Sequence, residues 1–477
     1  MASSILGGGG STVDVLLVYP AYETILERRG RFLTTIPLGI AYLASSLESN
    51  GFSVRVLDLN INRKLSLRDI ASRISDINPR ILCFSLTSMG LRQGYRVQQE
   101  LKTSCFKGVV VVGGPHVTAD PEVVGEFGAD YGIMGEAEHA LPALCRFILR
   151  GGGRPEDIGG LVKPYRGGIK YEECQRIEDL DELPPPARHL FEIKKYNYVS
   201  IITSRGCPFG CSYCTTANTK TRQRSVENVY SEIEGVVSDL NPGFIAFVDN
   251  VFTLEEEFVS DLCGRIEAGM PELRWSCATR ADSLDERLIQ VMHSAGCERI
   301  SFGVESGVER IRLGLGKKIT NKQYEKVFSA CRKAGIKTSA YFMLGNPGEK
   351  KGDMDDTVNF ALKLDPDDVF FTPTIVLPKT YLFEDCVREG RIGRDVWVKF
   401  MKDAADIPYI IPDEFQAYTV DSLQLYAMRK YFLDLRYVGR RFSRSRSAGE
   451  VIETGKLISG VFVDRVFIRK DIIPYDL

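Results

Sequence analysis

Three cysteines stand as Cys207-x3-Cys211-x2-Cys214 in the string RGCPFGCSYC. A [4Fe–4S] cube normally takes four thiolate ligands. A triad without a local fourth cysteine therefore points to a cube with one iron open to a small molecule. Pro208 and Gly210 suit a loop that wraps tightly and turns backbone amides toward the sulfurs. Zinc, or simple burial, is the alternative. Zinc sites come as two paired Cys-x2-Cys or Cys/His clusters, and no second pair lies near.

The elements that must hold this loop are legible on both sides of it. Val13 to Tyr19, Ser53 to Leu59, Ile81 to Leu86, Gly108 to Val112 and Tyr131 to Met134 are short, β-branched and nearly continuously apolar. Parallel strands covered on both faces read this way. An amphipathic helix follows the first strand, with Pro37 near its first turn, Ile40, Leu43, Ala44 and Leu47 on one face, and Gly51 as its stop. Five strands with crossover helices predict a doubly wound, flavodoxin-like (Rossmann-type) α/β domain over 13–150. Ligands of such sheets sit outside the strand carboxyl ends. Those ends carry Ser85, Thr87 and Ser88, then Gly113-Gly114-Pro115-His116, then Gly135-Glu136-Ala137-Glu138. Glycines there let a backbone approach a large ligand closely.

Residues 151–195 read as a linker with a little strand structure, ending in the stiff Leu183-Pro184-Pro185-Pro186. A second alternating region covers 196–377. Its strands are expected at Tyr198 to Thr203, Gly243 to Val248, Arg274 to Ala278, Arg299 to Gly303, Thr338 to Leu344 and Asp368 to Val376. Ser283 with Glu286, and Thr320 with Gln323, have capping-box spacing, and Gly296 and Gly335 stop the two helices. Six β/α units make a partial (β/α)6 barrel, with active residues expected at the strand C-terminal ends. The cysteine loop follows the first of these strands. Residues 378–477 read as a mainly helical cap, its aromatic and Arg-rich run interleaved with acidic residues.

Composition narrows the function classes. A net charge of −2 gives no argument for nucleic-acid or membrane-surface binding. No apolar run approaches the roughly 20 residues of a membrane span. The leader, 1–12, lacks the charged and apolar regions of a signal peptide. The scattered cysteines do not form a secreted disulfide framework, so a cytoplasmic location is expected.

Taken in order, these pieces resemble the cobalamin-binding radical S-adenosylmethionine (SAM) enzymes over roughly residues 13 to 377. Pro37-Leu38-Gly39, Tyr42-Leu43-Ala44, Gly51-Phe52 and Asp58 are similar to the opening of that family's cobalamin domain. GGPHVTADPE and GEAE look like its nucleotide-side loops, and FVDNVFT, WSCATR, SFGVES and FMLGNPGE are typical of its barrel. The resemblance implies that Cys207, Cys211 and Cys214 ligate the cluster while SAM chelates the open iron. It implies SAM contacts from Tyr213, Asp249, Arg280, Glu305, Ser306, Gly345, Asn346 and Pro347. Cobalamin contacts are implied for Leu38, Gly39, Ser85, Leu86, Thr87, Gly113, Gly114, Pro115, His116, Gly135, Glu136 and Glu138. None of His116, His139, His189 and His293 lies in the Asp-x-His-x2-Gly pattern that supplies a lower histidine ligand, so cobalamin is expected without histidine on cobalt. His116 is expected to shape its loop by hydrogen bonding.

The activity implied is class B C-methylation. An electron from an external donor cleaves SAM, the resulting 5′-deoxyadenosyl radical abstracts hydrogen from an unactivated carbon, and methylcobalamin supplies the methyl group. Oxygen-sensitive chemistry of this kind implies anaerobic handling. The compact cap and the Arg-, Lys- and Tyr-bearing segments favour a polar acceptor over a lipid. Resemblance in size and organisation to the family's glutamine C-methyltransferase of methyl-coenzyme M reductase implies a peptide or protein acceptor, with glutamine Cα first. A hopanoid or small-metabolite methylase, a non-methylating oxidase or cyclase, and a non-catalytic sensor stand behind it. Tyr341, Tyr381 and Trp397 are candidates to line a substrate cavity or to pack in a core.

Overall fold

The computed structural model describes residues 13–22, 35–104, 106–165, 168–412, 414, 419–444 and 452. The expected leader and the last part of the expected cap lie outside the described residues. The chain forms two compact units that divide between Ser200 and Ile201.

In the first unit, β1 (Val15–Tyr19), β2 (Val54–Asp58), β3 (Ile81–Ser85), β4 (Val109–Gly113) and β5 (Tyr131–Ile133) pair in parallel in the order 2-1-3-4-5. This is the flavodoxin-like order, with helices from the crossovers closing both faces. The apolar runs are explained by that double cover, since Val15 to Val18 are wholly buried. Helix Leu38–Ser49 starts after Pro37 and buries Ile40, Ala41, Tyr42, Ala44 and Leu47, while Leu43 is half-buried. The linker contributes more than a spacer. Its hairpin, β6 (Leu161–Tyr165) and β7 (Gly168–Tyr171), adds two antiparallel strands to the open edge of β5 and buries Leu161 and Val162.

In the second unit β8 (Val199–Ile201), β11 (Ile245–Phe247), β12 (Trp275–Thr279), β13 (Cys297–Glu305), β14 (Lys337–Leu344) and β15 (Asp368–Pro373) lie in one sheet in sequence order. Strands β11 to β15 pair in parallel, as the six β/α units predict. A hairpin absent from the sequence reading interrupts the first unit of the barrel. Strands β9 (Ser204–Cys207) and β10 (Thr219–Gln223) pair antiparallel and carry the cysteine loop between them. Of the two expected capping boxes, Thr320 with Gln323 forms. Ser283 instead joins a hydroxyl cluster with Thr253 and Thr279, and Asp285 caps helix Glu286–Ser294 through Leu288 N, 2.7 Å away. The shorter carboxylate directly before the helix takes the orphan amide.

The expected single cap over 378–477 is divided between the units. Phe383–Ile407 belongs with the first unit, where Trp397, Phe400 and Met401 of helix Val396–Met401 are fully buried. Arg92 donates to the carbonyl of Phe400 at 2.9 Å, an acceptor in the last turn of the helix, and to that of Ala405 in the following loop at 2.6 Å. Helices Val420–Phe432 and Leu435–Arg444 belong with the second unit, where Gln424 donates to Phe371 O at 2.7 Å and Arg440 to Leu362 O at 3.0 Å. Basic residues here bind carbonyls of their own fold. Among the described residues no helix is long and apolar enough to cross a membrane.

One rim glycine is fixed by sterics. Gly114 has φ +95°, and a Cβ there would lie 2.9 Å from both N and O of Leu86. Leu86 N donates to Gly113 O at 2.7 Å, and His116 N donates to Leu86 O at 3.0 Å, so neither neighbour yields freely. Gly114→Ala is expected to cost at least about 2 kcal/mol. Chemical denaturation against a Gly125→Ala control, whose Cβ meets nothing within 4 Å, measures it.

Candidate functional site

The cysteine loop is built from hydrogen bonds that close the hairpin on itself. Cys207 N donates to Thr219 Oγ1 at 2.9 Å, Asn218 N to Phe209 O at 3.0 Å, and Cys214 N to Cys211 O at 3.1 Å. A second brace comes from Leu315, whose carbonyl accepts from Ser212 N at 2.9 Å. So placed, Cys207, Cys211 and Cys214 line one cavity of about 210 Å³. All three thiols are free, and burial followed by the other two cysteines raises the Cys207 pKa. Among the described residues no three His, Cys, Asp or Glu side chains converge on a point as a single metal ion requires. Thiols spread around a shared cavity suit a cube, in which each holds a different iron. The triad fits the cluster.

Opposite the thiols the cavity is polar. Glu305 Oε1 accepts from Lys317 Nζ and from Tyr213 Oη, each at 2.8 Å. Burial would lower Lys317, but the Glu305 carboxylate outweighs it and leaves its pKa raised. Burial, then Glu305, also drives the Tyr213 phenol upward, so its proton stays on oxygen. Gly303 is required beneath this pair, because a Cβ would lie 2.4 Å from Glu305 Oε1 and 2.8 Å from Lys317 Nζ. Arg280 lines the same cavity, forked onto Asp282 at 2.9 and 2.7 Å with its guanidinium 3.6 Å from the Phe209 ring centre. Tyr341 lines it too, stacked on Phe370 with ring centres 4.7 Å apart.

Of the residues expected to touch SAM, Tyr213, Arg280 and Glu305 are therefore brought together with the cysteines. Others serve the frame. Asp249 is buried, and its Oδ1 takes bonds from N and Oγ of both Thr203 and Ser204 at 2.6 to 3.0 Å. Its neighbour Asn250 lines the cavity instead. Ser306 is fully buried and bonds Thr357 Oγ1 at 3.1 Å. Gly345 and Asn346 donate backbone N–H bonds of 2.6 and 2.9 Å to Glu349, Asn346 is fully buried, and Pro347 is exposed. None of these lines the cavity. Lys317 was missed, although its place eleven residues beyond the SFGVES run puts it in a glycine-flanked loop. Tyr381 is exposed and accepts a 3.4 Å bond from Asn218, and Trp397 is a core aromatic of the first unit.

The first unit carries the other expected residues on one rim. Ser85, Gly113 and Gly135 end or follow β3, β4 and β5. Thr87 Oγ1 accepts from Gly90 N at 3.0 Å, and Leu86 is wholly buried. Glu136 accepts from Ile177 N at 2.9 Å, and the buried Glu138 accepts at its carbonyl from Ser46. Gly39 and Pro115 are exposed, and Leu38 is half-buried. Gly135, at φ +74°, has Cys174 Sγ 3.2 Å from where a Cβ would stand. At Gly114 and Gly135 the space of a side chain is taken by Leu86 and Cys174, so these glycines pack the rim, while at the exposed Gly39 a Cβ would meet nothing within 4 Å and the backbone is left bare, as a large corrin with amide side chains requires. His116 is not at its surface. It is fully buried, bonds Ser88 Oγ through Nδ1 at 2.9 Å, meets Trp397 edge-on at 5.6 Å, and is held neutral by burial, its pKa pushed down to about 3. At the ends of β1 and β2, Tyr19 bonds Tyr22, and Asp58 accepts from Tyr196 Oη at 2.8 Å.

Comparison with known proteins agrees with both halves. Residues 31–145 match the B12 binding domain and residues 201–361 the radical SAM superfamily. An uncharacterized methyltransferase of Pyrococcus horikoshii is 30% identical over 399 residues, covering 81% of this chain and 86% of the relative. Cytidylyl-2-hydroxyethylphosphonate methyltransferase of Streptomyces wedmorensis is 25% identical over 445 residues, covering 79% and 82%. The radical SAM methyltransferase TsrM of Kitasatospora setae, solved with cobalamin and a [4Fe–4S] cluster bound, superposes with a TM-score of 0.72. It is 17% identical, covering 96% of this chain and all of that one. Its complex with tryptophan and a SAM analogue gives 0.66 at 20% identity, covering 80% and 76%. At those identities the likeness to TsrM is one of fold.

Glu349 yields a prediction. Burial raises its pKa to about 7 against the lowering effect of the Asn346 and Gly345 amides. The folded state then binds the proton more tightly than the unfolded chain, so stability is highest at low pH and falls as pH rises from about 4.5 to 7. The native chain is expected to lose roughly 2 kcal/mol more than Glu349→Gln between pH 5 and 8, read from denaturant midpoints.

Proposed function

This chain belongs to the cobalamin-dependent radical SAM methyltransferases, and within that family we propose that it methylates a carbon of a small organic acceptor held in the barrel. Its cofactors are a [4Fe–4S] cluster, SAM and cobalamin. Bound together they supply electron transfer, hydrogen abstraction and the methyl group, while the protein orients them and excludes water.

The observation that carries the site assignment is the Lys317–Glu305–Tyr213 network lining the same cavity as the three cysteines. Cys207, Cys211 and Cys214 hold three corners of the cube. Glu305 offers a carboxylate to the α-ammonium group of SAM, and Lys317 offers an ammonium to its carboxylate. Tyr213, anchored by its hydroxyl, presents a ring face to the adenine. Asp249 and Glu349 act one step back, fixing the hairpin and the Gly345–Asn346 turn. In the first unit Leu38, Gly39, Ser85, Thr87, Gly113, Gly114 and Gly135 would supply the backbone rim for cobalamin, and His116, buried against Ser88 and Trp397, would shape the loop beneath it.

The acceptor is taken to be small, in place of the peptide or glutamine that the family resemblance suggested, with the Tyr341–Phe370 stack as one wall of the cavity. Relatives named for cytidylyl-2-hydroxyethylphosphonate and solved with tryptophan support that preference. A non-methylating oxidase or cyclase is the alternative outcome. It consumes SAM to 5′-deoxyadenosine without S-adenosylhomocysteine.

Incubating the reduced, cofactor-loaded enzyme with candidate acceptors should yield 5′-deoxyadenosine and S-adenosylhomocysteine in near-equal amounts. Deuterium from the SAM methyl group should appear on acceptor carbon. Deoxyadenosine alone would sink the methylation. Cys211→Ala should abolish deoxyadenosine formation while leaving cobalamin content unchanged; loss of both together would refute two separate cofactor sites.

A further inference from the structure

One charged side chain in the barrel is fully buried and touches none of the cavity. Arg312, in the short helix Glu309–Gly314, is 0 % exposed. Its fork reaches in three directions. Nε donates to Ile319 O at 2.9 Å, Nη2 to Asn321 Oδ1 at 2.6 Å, and Nη1 to Ser306 O. The nearest carboxylate, Glu309, is 3.8 Å away. Burying a guanidinium against carbonyls is costly unless every donor is used, and only arginine has a rigid fork of this reach.

What the fork ties together is the loop that meets the cluster. Ser306 directly follows β13 and Glu305, while Ile319 and Asn321 bound the entry to helix Asn321–Ala334. Between them, Lys317 N donates to the carbonyl of Arg312 itself at 2.9 Å. Leu315 O receives Ser212 N, and Gly316, at φ +78°, leaves only 2.4 Å between a would-be Cβ and Gly210 O. The same short loop thus abuts the cysteine loop on one side and delivers Lys317 to Glu305 on the other. Glu305 itself holds φ +66°, a conformation that a non-glycine residue keeps only under constraint from its surroundings.

We propose that Arg312 is a positioning residue that fixes the loop carrying Lys317 and so sets the Lys317–Glu305 grip on SAM. The inference rests on the assignment of Lys317 as a SAM contact. Arg312 does nothing to SAM directly; it fixes the loop through which Lys317 arrives.

The test uses the full chain, reconstituted anaerobically, with iron quantified and SAM affinity measured by calorimetry. Native protein, Arg312→Lys, Arg312→Met, Lys317→Met and the Arg312→Met/Lys317→Met double variant are compared. Arg312→Met should keep its iron yet bind SAM at least about tenfold more weakly. Arg312→Lys should recover part of that loss. The double variant should be no weaker than Lys317→Met alone, since both changes act through one contact. A folded Arg312→Met with native SAM affinity, or losses that add in the double variant, would overturn the link to Arg312. Native affinity in Lys317→Met would instead overturn the grip. If Arg312→Met does not fold, Asn321→Ala removes one acceptor of the fork. Weaker SAM binding at unchanged iron then supports the proposal, and native affinity refutes it.

Discussion

A single buried oxygen, Asp249 Oδ1, organises the turn from which the cysteines depart. It gathers two backbone amides and two hydroxyls, so Thr203 and Ser204 are fixed in both main chain and side chain. Burial raises the pKa of this carboxyl while the four donors oppose the shift. The carboxylate is the better acceptor for such a set, which is why one residue can pin a strand-to-hairpin junction. Cys207 lies three positions beyond Ser204 on the same strand. An angular error at the junction would therefore be carried directly into the positions of the sulfurs.

The cavity resolves a common conflict between affinity and solvation. A lone buried ammonium or carboxylate would be expelled or neutralised. Glu305 and Lys317 compensate each other at 2.8 Å, and Gly303 supplies the space that lets them approach. Such a pair contributes little net stability, because desolvation offsets attraction. Its value lies in holding two opposite charges at fixed points, which suits a zwitterion whose own ends can exchange partners with them.

The fold was legible because its signals are repetitive. Five buried strands, six β/α units and the Thr320 cap each follow a local rule, and the observed order 2-1-3-4-5 is one of the two common doubly wound orders that such an alternation allows. The β9–β10 hairpin was not, since Thr219–Gln223 is polar and alternates no apolar face. The lining of the candidate cavity was legible at the cysteine loop, which carries Tyr213, and at Arg280 and Glu305, which stand at the ends of β12 and β13. Asp249, Ser306 and Asn346 share that placement yet face inward, because the decisive variable is which side of the strand end a residue takes. Lys317 escaped for the opposite reason. It reaches the cavity from a loop whose path is set by the distant fork of Arg312.

The placement of Phe383–Ile407 has a consequence for the chain as a connected object. The backbone enters the second unit at Ile201, leaves it after Val376, and returns for good at Pro408, with a brief excursion at Thr380–Leu382. No single cut in the backbone separates the two units into complete pieces. A fragment ending near Val376 would strip the first sheet of the helix that seats Trp397 on His116 and Phe400 against Arg92. The domain that sequence similarity delimits as 31–145 is thus shorter than the one that folds, and its missing part is encoded some 240 residues downstream.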